Sequence, residues 1–97
     1  MADATDEMAL IRRARAGDAS ALDALVRTHY RAVWRTLWPF TRNEDDTDTL
    51  TQETFLRATR NLHTFRGEAA LRSWITRIGI NLALNEKRRR RPVAVAD

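Results

Sequence analysis

An aromatic ring, two asparagines and a series of arginines lie close together in the last quarter of this chain. Trp74, Arg77, Asn81 and Asn85 occur within twelve residues, and four consecutive arginines follow at 88–91. Unpaired bases stack on aromatic rings, an asparagine amide can hydrogen-bond a base edge, and arginine neutralises phosphate. This combination predicts contact with single-stranded nucleic acid, although Trp74 taken alone also fits a helix core.

A leucine interrupts a polar helix face earlier in the chain. On a helical wheel Leu56 lies with Gln52, Glu53 and Arg60, opposite the apolar side of the same predicted helix. A leucine with a polar rim is typical of helix-mediated protein contacts. Single exposed leucines are also ordinary on protein surfaces, so the residues alone leave both interpretations open.

Patterns typical of catalysis or metal binding do not occur in the sequence. Cysteine is absent, and His29 and His63 lie far apart. The sequence contains neither a phosphate-binding glycine loop nor a nucleophile elbow. We therefore expect no metal, no cofactor and no enzymatic activity, with His29 at a partly buried helix edge and His63 in a loop or on the surface.

Positive charge is concentrated at one end of the chain. The formal net charge is +4, yet residues 1–87 carry thirteen Lys and Arg against twelve Asp and Glu, and four arginines come directly after them. A basic end on a nearly neutral body favours a polyanion bound at one face. The alternative is a solvated tail that keeps the domain soluble.

Helical periodicity predicts the elements that position these groups. With three Gly, two Pro and few alternating β-branched stretches, the chain is expected to form an all-α, compact bundle of about four helices. The first helix should end at Gly17, and Asp18 or Ser20 should cap the second. Pro39 and the acidic segment after it are expected to end the second helix. Its predicted apolar stripe consists of Leu22, Leu25, Val26, Tyr30, Val33, Trp34 and Leu37.

The third and fourth helices carry the two groups described above. The third is predicted over about 48–62, and the fourth is expected to begin near Ala69 or Ala70 after a loop marked by Gly67. Gly79 inside the fourth helix costs about 1 kcal/mol relative to alanine, so we expect a close helix contact there. The predicted inward residues are Thr51, Phe55, Ala58 and Leu62 in the third helix, and Leu71, Trp74, Ile75, Ile78 and Leu82 in the fourth.

The length predicts one domain, over residues 1–91, with 92–97 as a frayed end or the start of a linker. No apolar run approaches the roughly 18 residues of a membrane span, so we expect no membrane insertion. The acidic start and the absence of cysteine favour the cytoplasm.

The run from "QETFLRA" through "FRGEAALRSW" to "RIGINLAL" resembles region 2 of the extracytoplasmic-function (ECF, group 4) sigma factors, the bacterial initiation subunits of RNA polymerase. The segment "AGDASALDALVRTHYRAVWRTL" is similar to the family's first conserved helix pair. The resemblance spans nearly the whole chain. It implies a helical domain that joins core RNA polymerase, captures promoter DNA and contributes to transcription initiation and promoter melting.

The resemblance also implies a partner for each surface. The third helix falls where the family docks on the clamp helices of the β′ subunit, and the loop 62–70 with the fourth helix falls where it captures the single-stranded non-template strand of the minus-ten element. A base flipped from the stack is then expected to enter a preformed pocket beside Phe65 and Asn81. The implied polymerase-binding residues are Leu50, Gln52, Glu53, Leu56 and Arg57. The DNA-binding residues, including Trp74 from the residues alone, are Phe65, Arg72, Trp74, Arg77, Ile78, Asn81, Asn85, Arg88 and Arg89.

Two further expectations follow from the resemblance. An anti-sigma protein is expected to cover the same surfaces. Full chains of the family continue into a second domain that recognises the minus-thirty-five element, so this chain is expected to be an excised or truncated domain that binds promoter DNA weakly alone.

Two alternative functions of the chain remain open: a small basic helical module that binds duplex DNA, and a helical adaptor that binds only protein.

Overall fold

The computed structural model describes residues 4–90, with side chains described for residues 6–89. Helices α1 to α4 span Ala4–Arg15, Ala19–Thr41, Glu44–Arg60 and Leu71–Arg90, and a 3₁₀ turn at Leu62–Thr64 lies between α3 and α4. Residues 4–90 contain no strand, and the predicted all-α bundle is confirmed. Arg91 and the proposed linker 92–97 lie outside the described residues.

The turn between α1 and α2 forms as predicted. Gly17 has a φ of 99°, the left-handed region that glycine tolerates best. Asp18 caps α2 by accepting from the backbone N–H groups of Ser20 and Ala21 at 3.0 and 3.2 Å. Hydrogen bonds from Ser20 and Arg13 lower the pKa of the Asp18 carboxyl from 3.8 to about 2. The carboxylate form of Asp18 therefore stabilises this turn.

Helix α2 is the central column of the bundle. Its buried residues recur every fourth position, and one partly buried row flanks them. Leu25, Val33 and Leu37 are buried as predicted, whereas the predicted Leu22, Val26, Tyr30 and Trp34 lie in the flanking row. His29, predicted at a partly buried edge, is in the buried row.

Helix α2 passes through Pro39 and ends at Thr41, directly before the acidic segment that was predicted to end it together with Pro39. Pro39 lies two residues before the end of the helix, and because it has no N–H it removes one backbone hydrogen bond of the last turn. The C-cap residue Arg42 has a left-handed φ of 54°, and its N–H donates to Trp38 O at 2.8 Å. Asn43 then caps α3 by accepting from Asp46 N–H, so α3 starts at Glu44, four residues earlier than predicted.

Small side chains let α3 and α4 approach α2 closely. Thr51 and Thr54 are fully buried, and each donates its hydroxyl at 2.7 Å to a carbonyl one turn earlier in α3. A Cβ at Gly79 would lie 2.9 Å from both Leu37 Cδ1 and Thr54 Oγ1. The predicted close contact at Gly79 is therefore confirmed, and it fixes α4 against both neighbouring helices.

The bundle places the outer faces of α3 and α4 side by side. Helix α3 lies antiparallel to α2, since Thr41 and Thr47 hydrogen-bond at the connecting turn and the Tyr30 and Phe55 rings stack with centroids 5.4 Å apart farther along. Over residues 4–90, no helix has the length and apolar composition needed to cross a membrane.

Candidate functional site

The outer face of α3 forms an open depression of about 480 Å³, here called the α3 depression. Leu56, half exposed, lies at its centre, and Gln52, Glu53 and Arg60 are exposed around it as predicted. Arg57 lies 3.7 Å from Glu53 across this surface. An apolar centre with a charged rim suits a protein partner better than a small molecule.

Polar contacts with α2 hold the start of this face. Trp34 Nε1 donates to Asp48 at 2.7 Å, and Tyr30 hydrogen-bonds Gln52. Burial raises the pKa of the Tyr30 hydroxyl, and the nearby Asp48 raises it further. Leu50, predicted to contact polymerase, is partly buried and packs against the core, so less of its side chain is available to a partner than of Leu56.

A second depression, of about 330 Å³, lies where the end of α3, the 3₁₀ turn and α4 meet, and is here called the α3–α4 depression. It brings together four of the predicted DNA-binding residues: Trp74, Ile78, Asn81 and Asn85. Asn81 and Asn85 are exposed, while Trp74 and Ile78 are partly buried. One ring, one aliphatic wall and two amides thus line one concave surface.

The sequence interpretation missed part of this depression. Asn61 also lines it, as does Thr64, which was not named individually although it lies in the loop 62–70 expected to capture DNA. Asn61 donates its side-chain amide to Arg57 O at 2.9 Å, and Thr64 donates its hydroxyl to Asn61 O at 2.7 Å. Both residues have the types expected in any helix end or turn, so no sequence signal distinguished them.

The prediction of a preformed pocket beside Phe65 is wrong. Phe65 is 5% exposed and does not line the α3–α4 depression. The 3₁₀ turn places residues three apart on one side, and here that side faces the core, so Leu62 and Phe65 both point inward. The Phe65 ring instead packs against Trp74, with centroids 5.3 Å apart and planes at 54°. Trp74 is therefore the aromatic residue of the depression.

Arg72 lies outside the depression in a network that joins three helices. Its Nε donates to His29 Nδ1 at 3.0 Å, and His29 Nε2 lies 2.6 Å from Glu7 Oε2. Because Nδ1 accepts from Arg72, the ring proton lies on Nε2, which donates to Glu7. Arg72 remains exposed overall and presents its other nitrogens at the start of α4.

The remaining predicted cations lie along the exposed side of α4. Arg77, Arg88 and Arg89 are exposed and do not line the α3–α4 depression. Residues 84–89 are all exposed, so the basic end of α4 extends beyond the packed part of the bundle. The arginines, which could contact nucleic-acid phosphates, therefore lie apart from the Asn81 and Asn85 amides, which could contact a base.

The two depressions share a rim. Arg57 and Asn61, at the end of α3, line both. Arg57, predicted to contact polymerase, therefore also borders the candidate nucleic-acid surface.

No group of three or more acidic or histidine side chains in the described part of the chain is arranged to hold a metal ion.

Comparison with known proteins identifies the family of the chain. The family model described as Sigma-70 region 2 matches residues 25–93. An ECF RNA polymerase sigma-E factor of Haemophilus influenzae is 35% identical over 88% of this chain and 44% of its own length. ECF RNA polymerase sigma factor SigM of Mycobacterium tuberculosis is 39% identical, over 76% of this chain and 38% of its own length.

A third relative, the RNA polymerase sigma-H factor of Pseudomonas aeruginosa, is 35% identical over 86% of this chain and 44% of its own length. The chain thus spans less than half the length of these curated relatives. The family match covers most of the chain and includes α3, the 3₁₀ turn and α4, which form both depressions. The chain belongs to the sigma-70 region 2 family.

Proposed function

We propose that this chain is the promoter-recognition domain of an alternative sigma factor of the ECF type. It joins core RNA polymerase through the α3 depression and captures the single-stranded non-template strand of the minus-ten element in the α3–α4 depression. The observation that carries the DNA half of this proposal is the convergence of Trp74, Asn81 and Asn85 on one concave surface.

An unpaired base suits this surface better than a paired one. Trp74 is partly exposed and offers part of its ring, on which a base stacks for about 1 to 3 kcal/mol. The Asn81 amide is exposed on the same surface and has the donor and acceptor needed for a base edge. Unpairing and unstacking a base costs a few kcal/mol, which these two contacts offset.

The exposed arginines of α4 supply contacts that do not depend on sequence. Arg77, Arg88 and Arg89 lie beside the depression along the helix, where phosphates of the bound strand can reach them. Arg72 contacts phosphate at the start of the same helix. Phosphate contacts position the strand, and base contacts select it.

The α3 depression is the proposed docking site for the clamp helices of β′. Leu56 provides the apolar centre, and the Glu53–Arg57 pair provides complementary charges at its edge. Both charged side chains are about half exposed, so their mutual attraction is weak and leaves them available to a partner.

Further parts of the proposal follow from this role. The domain acts by binding rather than catalysis, and it works in the cytoplasm with polymerase and DNA. It ends with the basic run near residue 91, where a linker begins. An anti-sigma protein that covers either depression would block the corresponding partner.

Binding to a short single strand, compared with the matching duplex, tests the proposal. We expect the single strand carrying the preferred element to bind more tightly. With about four phosphate contacts, the logarithm of its affinity should fall with the logarithm of salt concentration at a slope near −3. Tighter binding of the duplex would favour a duplex-binding module, and an affinity independent of salt would favour a protein adaptor.

A further inference from the structure

We propose that Arg15, in the last turn of α1, is a positioning residue for the α3–α4 depression. It lies in a helix that lines neither depression, and the sequence patterns gave it no role. The inference rests on the proposed function, because it concerns how the surface that receives DNA keeps its shape.

Two hydrogen bonds carry the inference. Arg15 Nε donates to Leu62 O at 3.1 Å, and Arg15 Nη2 donates to Phe65 O. One guanidinium thus holds two carbonyls of the segment 61–70, which is about fifty residues away in sequence. A planar guanidinium has donors in a fixed fork, so it sets the separation and orientation of both carbonyls together.

The two carbonyls belong to the residues that shape the depression from behind. Leu62, in the 3₁₀ turn, and Phe65, directly after it, are buried, and the Phe65 N–H donates back to Leu62 O at 3.1 Å. The Phe65 ring packs against Trp74, which lines the depression. Thr64, between the two carbonyls, lines it directly. Arg15 therefore reaches the depression through one backbone segment and one ring contact.

The rest of this segment lies on the surface of the bundle. Residues 66–70 are all exposed, and Gly67 has a left-handed φ of 80°. Neighbouring arginines of α1 do not make the same contacts: Arg13 pairs with Asp18 at 2.8 Å. Arg12 is exposed one turn earlier and provides a matched control for the charge of this helix.

Amide hydrogen exchange on the 97-residue chain tests the positioning directly. Arg15→Lys keeps the charge and removes the fork, and Arg12→Lys makes the same change nearby. We expect exchange at Thr64 and Phe65 to accelerate about tenfold in Arg15→Lys, since one hydrogen bond to a charged group contributes at least that factor. Exchange in α2 should stay unchanged in both variants. Equal exchange at Thr64 and Phe65 in Arg15→Lys and wild type would overturn the proposal.

A DNA measurement separates positioning from simple attraction. The probes are the short single strand most enriched by the wild-type chain from a random pool and a scrambled version of it. We expect Arg15→Lys to reduce the ratio of the two affinities about fivefold. The reason is the partial loss of a hydrogen bond to a base edge, since such contacts discriminate between bases. Affinity for the scrambled strand should be unchanged.

The other outcomes are also decisive. An unchanged affinity ratio, or equal losses for both strands, would reject Arg15 as a positioning residue while the proposed function stands. A wild-type chain that does not distinguish the enriched strand from the scrambled one would reject the proposed function itself. That result would also remove any part for Arg15 in base selection, whatever the exchange data show.

Discussion

The two depressions differ in how they are built. The α3 depression is mainly the outer face of one helix, and its central residue, Leu56, needs no distant segment to position it. The α3–α4 depression is assembled from the end of α3, the 3₁₀ turn and α4. A single-helix surface follows from helical periodicity, whereas a composite surface depends on how three segments pack.

This difference has energetic consequences. A substitution on the α3 depression should act on one partner with little effect on the fold. The α3–α4 depression depends on buried contacts behind it, such as Phe65 against Trp74 and Gly79 against Leu37. Substitutions there should couple stability to function. Three predictions test this contrast, and a fourth concerns Asp18, outside both depressions.

The largest expected effect is that of Glu53→Arg on polymerase binding. The substitution places a second positive side chain beside Arg57. A partner whose charges complement the wild-type surface is then repelled. Pull-down of a β′ clamp-helix fragment should be lost, while the thermal midpoint and single-strand affinity stay as in wild type. Asp23→Arg is the matched control, because Asp23 is an exposed carboxylate paired with Arg27 four residues later in α2. Equal retention of β′ by both variants would contradict the assignment.

Asn81→Ala and Arg89→Ala should weaken DNA binding in different ways. Removing the Asn81 amide is expected to reduce discrimination between the preferred and scrambled single strands about tenfold, the lower part of the range for a good base contact. Arg89 lies outside the depression, so removing it should weaken the binding of both strands alike. The slope of the logarithm of affinity against the logarithm of salt concentration should become about 0.7 shallower. Fluorescence anisotropy over a range of salt concentrations measures both effects. The same loss pattern for the two variants would contradict the separation of base and phosphate contacts.

Gly79→Ala should destabilise the fold, although alanine is the better helix former. The new Cβ would lie 2.9 Å from Leu37 and Thr54, and overpacking of this kind costs about 1 to 3 kcal/mol. The gain in helix propensity offsets about 1 kcal/mol. We expect the free energy of unfolding, measured with urea, to fall by about 1 kcal/mol. The control Ser73→Ala, at an exposed position of α4, should stay within about 0.5 kcal/mol of wild type. A more stable Gly79→Ala variant would show that the helix contact is looser than described.

The smallest effect is the pH dependence contributed by Asp18, which lines neither depression. Its folded pKa is lowered from 3.8 to about 2, so its contribution to stability is present above pH 4 and is lost as pH falls toward 2. The difference in unfolding free energy between wild type and Asp18→Asn should therefore shrink over this range, as urea unfolding at several pH values can show. A difference that stays constant down to pH 2 would contradict the role of the Asp18 carboxylate.

Much of the fold could be predicted from local patterns. Gly17, Asp18 and the inward face of α3 behave as their residue types and spacing indicate, because each depends on neighbours within one or two turns. Of the two features expected to end α2, Pro39 lies inside its last turn, and the acidic segment follows directly after its end. The start of α3 was placed too late, since Asn43 caps it before the aspartates.

The candidate site was predicted less completely, for a physical reason. Trp74, Asn81 and Asn85 follow from helical spacing along α4, and the structure brings them together. Phe65 lies in a loop in the sequence, where nothing shows that a 3₁₀ turn directs its ring into the core. Asn61, Thr64 and Arg15 act through hydrogen bonds to backbone carbonyls, which leave no periodic pattern in the sequence.

We propose that an unpaired base enters the α3–α4 depression between Trp74 and Asn81. The most direct measurement is an NMR titration of the 97-residue chain with the preferred single strand, following the Trp74 indole N–H and the side-chain amides of Asn81 and Asn85. We predict that these three sets of signals shift together and saturate, and that the scrambled strand moves chiefly the Arg88 and Arg89 side-chain signals. Shifts confined to the arginines with both strands, with the Trp74 and Asn81 signals unmoved, would contradict base capture in this depression.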